Sequence, residues 1–180
     1  MAVAEEVAAE AGARGLFTTL TLSTAFGCPF EGEVPPDRVI ALARRGAAAG
    51  FDELCLGDTI GVGTPAQVRD LTAGVRAAVG DTPPLRYHFH NTRNTGYANA
   101  FAAVLDGVTV LDASAGGIGG CPFAPNATGN IATDDLVYML ERMGIATGWD
   151  LEALLPTARF LTDRLGHQVP AMLPRAGSFP

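Results

Sequence analysis

Apolar and polar positions change period along the chain, from two to about 3.6 and back, and each change marks an element. Leu16–Leu22 (Leu-Phe-Thr-Thr-Leu-Thr-Leu) is dense in β-branched and aromatic residues and reads as a strand. Glu53–Gly57, Leu85–Asn91 and Val108–Leu111 read the same way. Between them lie helical stretches. Ala2–Ala11 is rich in Ala and Glu and stops at Gly12. Pro35 and Pro36 open a helix that runs to Ala49, with Gly50 at its end. Thr64 at the N-cap and Pro65 behind it open another, to about Val79. Further helices are expected over Thr95–Asp106, Thr133–Met143 and Asp150–Leu165, and the spacing of Phe101, Val104 and Leu105 makes them core. Thr24–Val34, Asp58–Gly63, Gly80–Pro84 and the glycine-rich Ala115–Gly129 read as loops, and Pro170–Pro180 as a loose tail.

Strands alternating with helices predict an α/β fold with a parallel sheet, either a barrel or doubly wound. The polar clusters around Cys28, Asp58, His88 with His90, and Cys121 all fall at or just after the C-terminal ends of strands. Barrels place their sites along that whole rim, whereas open sheets do so at a switch point. Four such rims favour the barrel. A complete (βα)8 barrel takes roughly 250 residues. The expectation is therefore one domain over residues 1–180: parallel (βα) units forming the C-terminal half of a TIM-type barrel, with about four strands and a C-terminal helical extension.

Composition narrows the chemistry. A net charge of -7 excludes nucleic acid as a partner, since phosphate binding needs clustered basic residues. All 12 basic residues are arginine, so no lysine amine is present for Schiff-base chemistry. A hydrophobic content of 48% and mean hydropathy of +0.22 are enough for a real core. No apolar run reaches the length of a membrane span, so no membrane partner is expected. The three cysteines do not make a disulfide scaffold, and Glu5, Glu6 and Glu10 stand where an export signal would be basic and apolar; a cytoplasmic location is expected.

The chemistry centres on Leu85-Arg86-Tyr87-His88-Phe89-His90-Asn91. Alternation puts His88 and His90 on one face, at the end of the strand, where two imidazoles can hold a divalent cation. A single histidine there would read as structural; a pair at this spacing reads equally as a metal site or as structural. Cys121 in the glycine loop adds a thiol and Asn130 behind it an amide oxygen. Asp58, at the end of its strand, either orients substrate or caps the following turn. Cys55 reads as a small buried apolar residue, Cys28 as loop packing and His167 as an exposed helix end. The run Gly116–Gly120 lacks the pattern of a phosphate loop and reads as a lid.

These segments carry a resemblance. Gly57-Asp58-Thr59-Ile60-Gly61-Val62-Gly63-Thr64-Pro65, His88-Phe89-His90, Gly119-Gly120-Cys121-Pro122-Phe123, Gly129-Asn130 and Leu136-Val137-Tyr138-Met139-Leu140 look like hydroxymethylglutaryl-CoA lyase, over about Leu16 to Leu165. The cysteine loop is specific to that family, while His-x-His is shared with the wider pyruvate-carboxyltransferase-like enzymes. The resemblance implies metal-dependent cleavage of 3-hydroxy-3-methylglutaryl-CoA, or a close branched acyl-CoA, to acetyl-CoA and acetoacetate. It implies a Mg2+ or Mn2+ cofactor on His88, His90 and Asn130, with Cys121 and His88 as catalytic residues; Asp58 joins them as a catalytic candidate from its own place at the strand end. The family's first-strand aspartate and arginine, and an acidic residue on its second strand, have no counterpart in these 180 residues. The isolated chain is accordingly expected to be impaired, and to be a homo-oligomer or the partner of a complementing N-terminal half-barrel, with an acyl-CoA as substrate. Asn91 stands where the family commonly has aspartate, and Phe123 where it has tyrosine. The alternatives are another metal-dependent aldolase or acyl synthase of the superfamily, or a non-catalytic oligomerising fragment.

Overall fold

The structure is a computed structural model that describes residues 1–121, 129–177 and 179. Helix α1 (Ala2–Ala13) leads into strand β1 (Thr19–Leu22), and a short hairpin, β2 (Gly27–Cys28) with β3 (Gly32–Glu33), follows. Then come α2 (Pro36–Ala48), β4 (Glu53–Asp58), α3 (Pro65–Val79), β5 (Leu85–Phe89), α4 (Gly96–Leu105) and β6 (Val110–Asp112). Helices α5 (Thr133–Arg142), α6 (Leu151–Leu165) and α7 (Leu173–Ala176) close the chain. The sheet order is β1-β4-β5-β6, with every pair parallel. The expected alternation of strand and helix is thus the observed one.

The two faces of this sheet differ in chemistry. Leu54 and Leu56 of β4 with Leu85, Tyr87 and Phe89 of β5 face the helices and meet Val39, Ala43, Val68, Leu71, Val75, Ala100 and Ala103. Tyr87 stacks on Phe89 with centroids 5.1 Å apart, and its hydroxyl pairs with Thr72 Oγ1 at 2.8 Å, which makes its burial affordable. Burial of each large side chain here contributes about 1.5–3 kcal/mol. The other face carries Glu53, Cys55, Arg86, His88 and His90.

Several boundaries differ from expectation. Pairing of β1 begins at Thr19, because Asp52 accepts from Thr18 N and Thr18 Oγ1 and so closes the strand's entry; Leu16 and Phe17 are left exposed. Strand β6 starts two residues late, since Val108 N still donates to Ala103 O in the turn that ends α4. That helix buries Gly96, Asn99, Ala100 and Ala103, small side chains that let it approach the sheet closely, while Phe101 and Leu105 are exposed rather than core. The tail is not loose up to Ala176: Val169, Ala171 and Leu173 are buried, Asp135 accepts from Met172 N and Leu173 N, and Ala171 N donates to Gly116 O. Among the described residues no helix is long and apolar enough to cross a membrane.

Candidate active site

His88 lies in β5 and His90 one residue past its end, on the face opposite Tyr87 and Phe89. Their rings meet edge to face, and the two Nε2 atoms are 3.2 Å apart. Two imidazole nitrogens bound to one cation at about 2.1 Å and about 100° would be separated by about 3.2 Å, so the pair is spaced for a shared ion. His90 is buried, and burial, helped by the neighbouring His88, pushes its imidazolium pKa down to about 4. A neutral ring is the form that ligates.

Asn130 reaches the same place by backbone pairing. His90 and Asn130 form an antiparallel bridge, Asn91 N donates to Gly129 O, and Ile131 N donates to Phe89 O. Partners in such a bridge present side chains to one side of the sheet. The Asn130 amide nitrogen donates to Ile118 O at 3.0 Å, while its Oδ1 is buried with no hydrogen-bond partner among the described residues. Buried acceptors without partners are uncommon and call for an explanation. An amide oxygen without a partner, on a residue bridged to His90, is of the donor type a divalent cation takes together with imidazole nitrogens. Among the described residues no three His, Cys, Asp or Glu side chains cluster as a metal site; what this corner offers is two imidazoles and one amide oxygen.

Cys121 is a half-buried free thiol two residues beyond Gly119, which lies against Asn130. Pro122 and Phe123, the rest of the expected lid motif, fall outside the described residues. The loop's two described ends meet: Gly116 and Gly117 take left-handed φ of 66° and 72°, open to glycine, and turn the chain back so that Gly117 O and Gly119 O face Gly129. Asp134 holds this turn, accepting from Gly116 N at 2.7 Å.

Asp58 is placed elsewhere. It is in register with Phe89 and shares the helix-side face with Leu54 and Leu56, away from the imidazoles. Fully buried, its carboxylate accepts from Val62 N and Gly63 N, both at 2.9 Å. Burial raises its pKa against these donors. Of the two roles the sequence allowed Asp58, these bonds support the cap: its carboxylate holds the loop into α3. Asp58→Asn is expected to cost about 2 kcal/mol in urea denaturation, because an amide NH2 must face a backbone N–H, with cation affinity unchanged. A matching loss of affinity would place it in the site after all.

Asn91, where an aspartate was expected, accepts from Gly96 N through Oδ1 at 3.2 Å. An amide oxygen serves that purpose as a carboxylate would, so this departure leaves the histidine corner intact.

Sequence reasoning missed a polar network behind the histidines. Glu53 Oε1 accepts from Thr19 Oγ1 and Arg86 Nε, both at 2.8 Å. Arg86 donates through its other arm to Asp112 Oδ1 at 2.6 Å, and Asp112 Oδ2 lies 3.6 Å from His88 Nδ1. His88 beside it, with Arg86, holds the Asp112 carboxyl below the usual carboxylate range against the opposing effect of burial. The network spans β1, β4, β5 and β6. Charged residues at alternate positions of otherwise apolar strands were its only signal.

A model of the family described as HMGL-like matches residues 2–161. The chain is 47% identical over 163 residues to an (R)-citramalyl-CoA lyase of Chloroflexus aurantiacus, covering 91% of this chain and 51% of that protein. It is 44% identical over 169 residues to a hydroxymethylglutaryl-CoA lyase of Bacillus subtilis, covering 94% and 56%. A solved HMG-CoA lyase from Acinetobacter baumannii, in complex with coenzyme A and 3-methylmalate, superposes with a TM-score of 0.90 at 40% identity, covering 98% of this chain and 58% of that one. The chain spans about half the length of the curated relatives it matches.

Proposed function

This chain belongs to the HMGL-like family, and from that premise we propose that it carries the cation-binding half of a lyase site that cleaves a branched hydroxyacyl-CoA, 3-hydroxy-3-methylglutaryl-CoA or a close analogue, to acetyl-CoA and a keto acid. One observation carries the reading: the Nε2 atoms of His88 and His90 stand 3.2 Å apart, and the backbone bridge from His90 to Asn130 brings in a residue whose buried Oδ1 has no hydrogen-bond partner among the described residues. These three residues would hold Mg2+ or Mn2+. Such a cation, when bound, supplies Lewis-acid polarisation of the substrate's hydroxyl and carbonyl oxygens.

The remaining work falls to this chain's side chains. His88 faces His90 through one nitrogen and Asp112 through the other, so its part is that of a ligand rather than of an acid–base group. Cys121 is the group for proton delivery: its Sγ–H stands at the start of the loop whose far end holds Asn130, it protonates the enolate carbon left by cleavage, and the thiolate so formed regains a proton from the water that takes up the substrate's hydroxyl proton.

Strands β1 and β6 end the sheet, and the chain matches half of its relatives, which supports pairing with further chain, either a second copy or an N-terminal half-barrel. The identity to a citramalyl-CoA lyase keeps a second acyl group in play. The test is to incubate the purified chain, alone and with an N-terminal half from a relative, with each thioester and Mn2+. Acetyl-CoA should form, and most of it with the added half. Asn130→Ala should weaken Mn2+ binding about tenfold. Absence of saturable Mn2+ binding by the chain would end the reading.

A further inference from the structure

We propose that Asp112 is a positioning residue that fixes the proton of His88 on Nδ1, so that both imidazoles of the metal-free chain are set in a single pair of tautomers. The inference rests on the cation reading for its purpose but on the metal-free geometry for its evidence. Only one proton can lie between the two Nε2 atoms at 3.2 Å when both rings are neutral. Two arrangements are available. In the first, His88 carries its proton on Nδ1, toward Asp112 Oδ2 at 3.6 Å, and its Nε2 accepts from His90 Nε2–H. In the second, His88 donates through Nε2, which turns the Nδ1 lone pair toward a carboxylate.

The second arrangement also puts the His90 proton on Nδ1, a buried atom with no hydrogen-bond partner among the described residues. One feature selects the first pair, the anion beside His88 Nδ1, while His90 Nδ1 lacks a partner among the described residues in either arrangement. The 3.6 Å separation exceeds a full hydrogen bond, so Asp112 acts through charge on a proton aimed at it.

Asp112 can do this because it is itself held. Arg86 binds its other oxygen at 2.6 Å, and Glu53 binds Arg86 in turn. The anchor thus runs across three strands to the histidine, and it keeps the His88 Nε2 as a lone pair, which accepts from His90 Nε2–H in the metal-free chain and becomes available to a cation once His90 shifts its own proton to Nδ1. A carboxylate behind a ligating histidine is a recurrent means of setting ring orientation and basicity.

The experiment is 15N NMR of the full chain with labelled imidazoles, metal-free and at neutral pH, followed by Mn2+ titration. The wild type should show His88 as the Nδ1–H and His90 as the Nε2–H tautomer. Asp112→Ala should give mixed His88 tautomers and Mn2+ affinity lower by about 10–100-fold. Asp112→Asn, nearly isosteric and safe for folding, should fall between them. A wild type with His88 protonated on Nε2 overturns the proposal, as does Asp112→Asn with unchanged tautomers and affinity. A wild type that shows these tautomers yet binds no Mn2+ supports the proton assignment and overturns the cation reading instead.

Discussion

Replacing Gly129 by alanine is expected to weaken the chain's binding of Mn2+ by about two orders of magnitude while the sheet and its helices persist. Gly129 sits at φ 84°, a conformation that costs a side chain about 1–2 kcal/mol. The added methyl would stand 2.7 Å from Gly117 O and 3.0 Å from Gly119 O. Both neighbours are backbone, so no rotamer change can relieve the contact. Either the glycine turn or Gly129 itself must move. Asn130 is the next residue, and its amide is tied to Ile118 O within that same turn. Movement on either side takes Oδ1 away from the histidines, and displacement of support around a ligand costs about 10–100-fold in affinity. A control separates the two causes: Gly144 has a similar φ of 78° with nothing near its added methyl, so Gly144→Ala carries strain without displacement. Calorimetric titration of both variants, beside thermal melts, checks this. Equal Mn2+ affinity in Gly129→Ala and the wild type would remove Asn130 from the ligand set.

How much of this site could be read from the residues depended on whether a local period carried it. The histidine pair was legible because alternation over three residues suffices to put two side chains on one face. Asp58 was legible by the same count, since steps of two from Leu54 and Leu56 place it among the helix-side residues, but the loop motif around it suggested a catalytic contact instead. The tail shows the pattern too: Val169, Ala171 and Leu173 alternate, and all three are buried. The amphipathic reading of α4 failed for a different reason. Helix-to-sheet distance, set by Gly96, Ala100 and Ala103, decided which face turned inward, and the large residues Phe101 and Leu105 were left outside. The Glu53–Arg86–Asp112 network was beyond reach, because it depends on which strands neighbour each other and in what register. A single sequence states neither.

Acid is expected to destabilise the metal-free chain by about 3 kcal/mol between pH 6.5 and pH 4, through His90. Its imidazolium pKa falls from 6.5 to about 4, first because the ring is buried and second because His88 stands beside it. The sign follows from which form the fold prefers. Below pH 6.5 the unfolded chain takes up a proton that the folded chain refuses, so stability is complete above 6.5 and declines until the folded pKa is reached. A displacement of about 2.5 pH units, at 1.36 kcal/mol each, sets the size. Asp112, whose pKa is lowered, loses its stabilising charge as pH falls further, below the usual carboxylate range. Asp58 acts oppositely: its raised pKa means that the fold gains as it protonates. Comparison with a His90 variant isolates the histidine, because Asp58 contributes equally to both proteins. His90→Gln keeps a neutral polar side chain at that position, and the wild type should lose stability relative to it between pH 6.5 and about 4. Added Mn2+ should steepen the wild-type slope, since only deprotonated rings ligate. Urea denaturation at several pH values reads both effects, and parallel curves for the wild type and His90→Gln would show that the ring titrates as an exposed one.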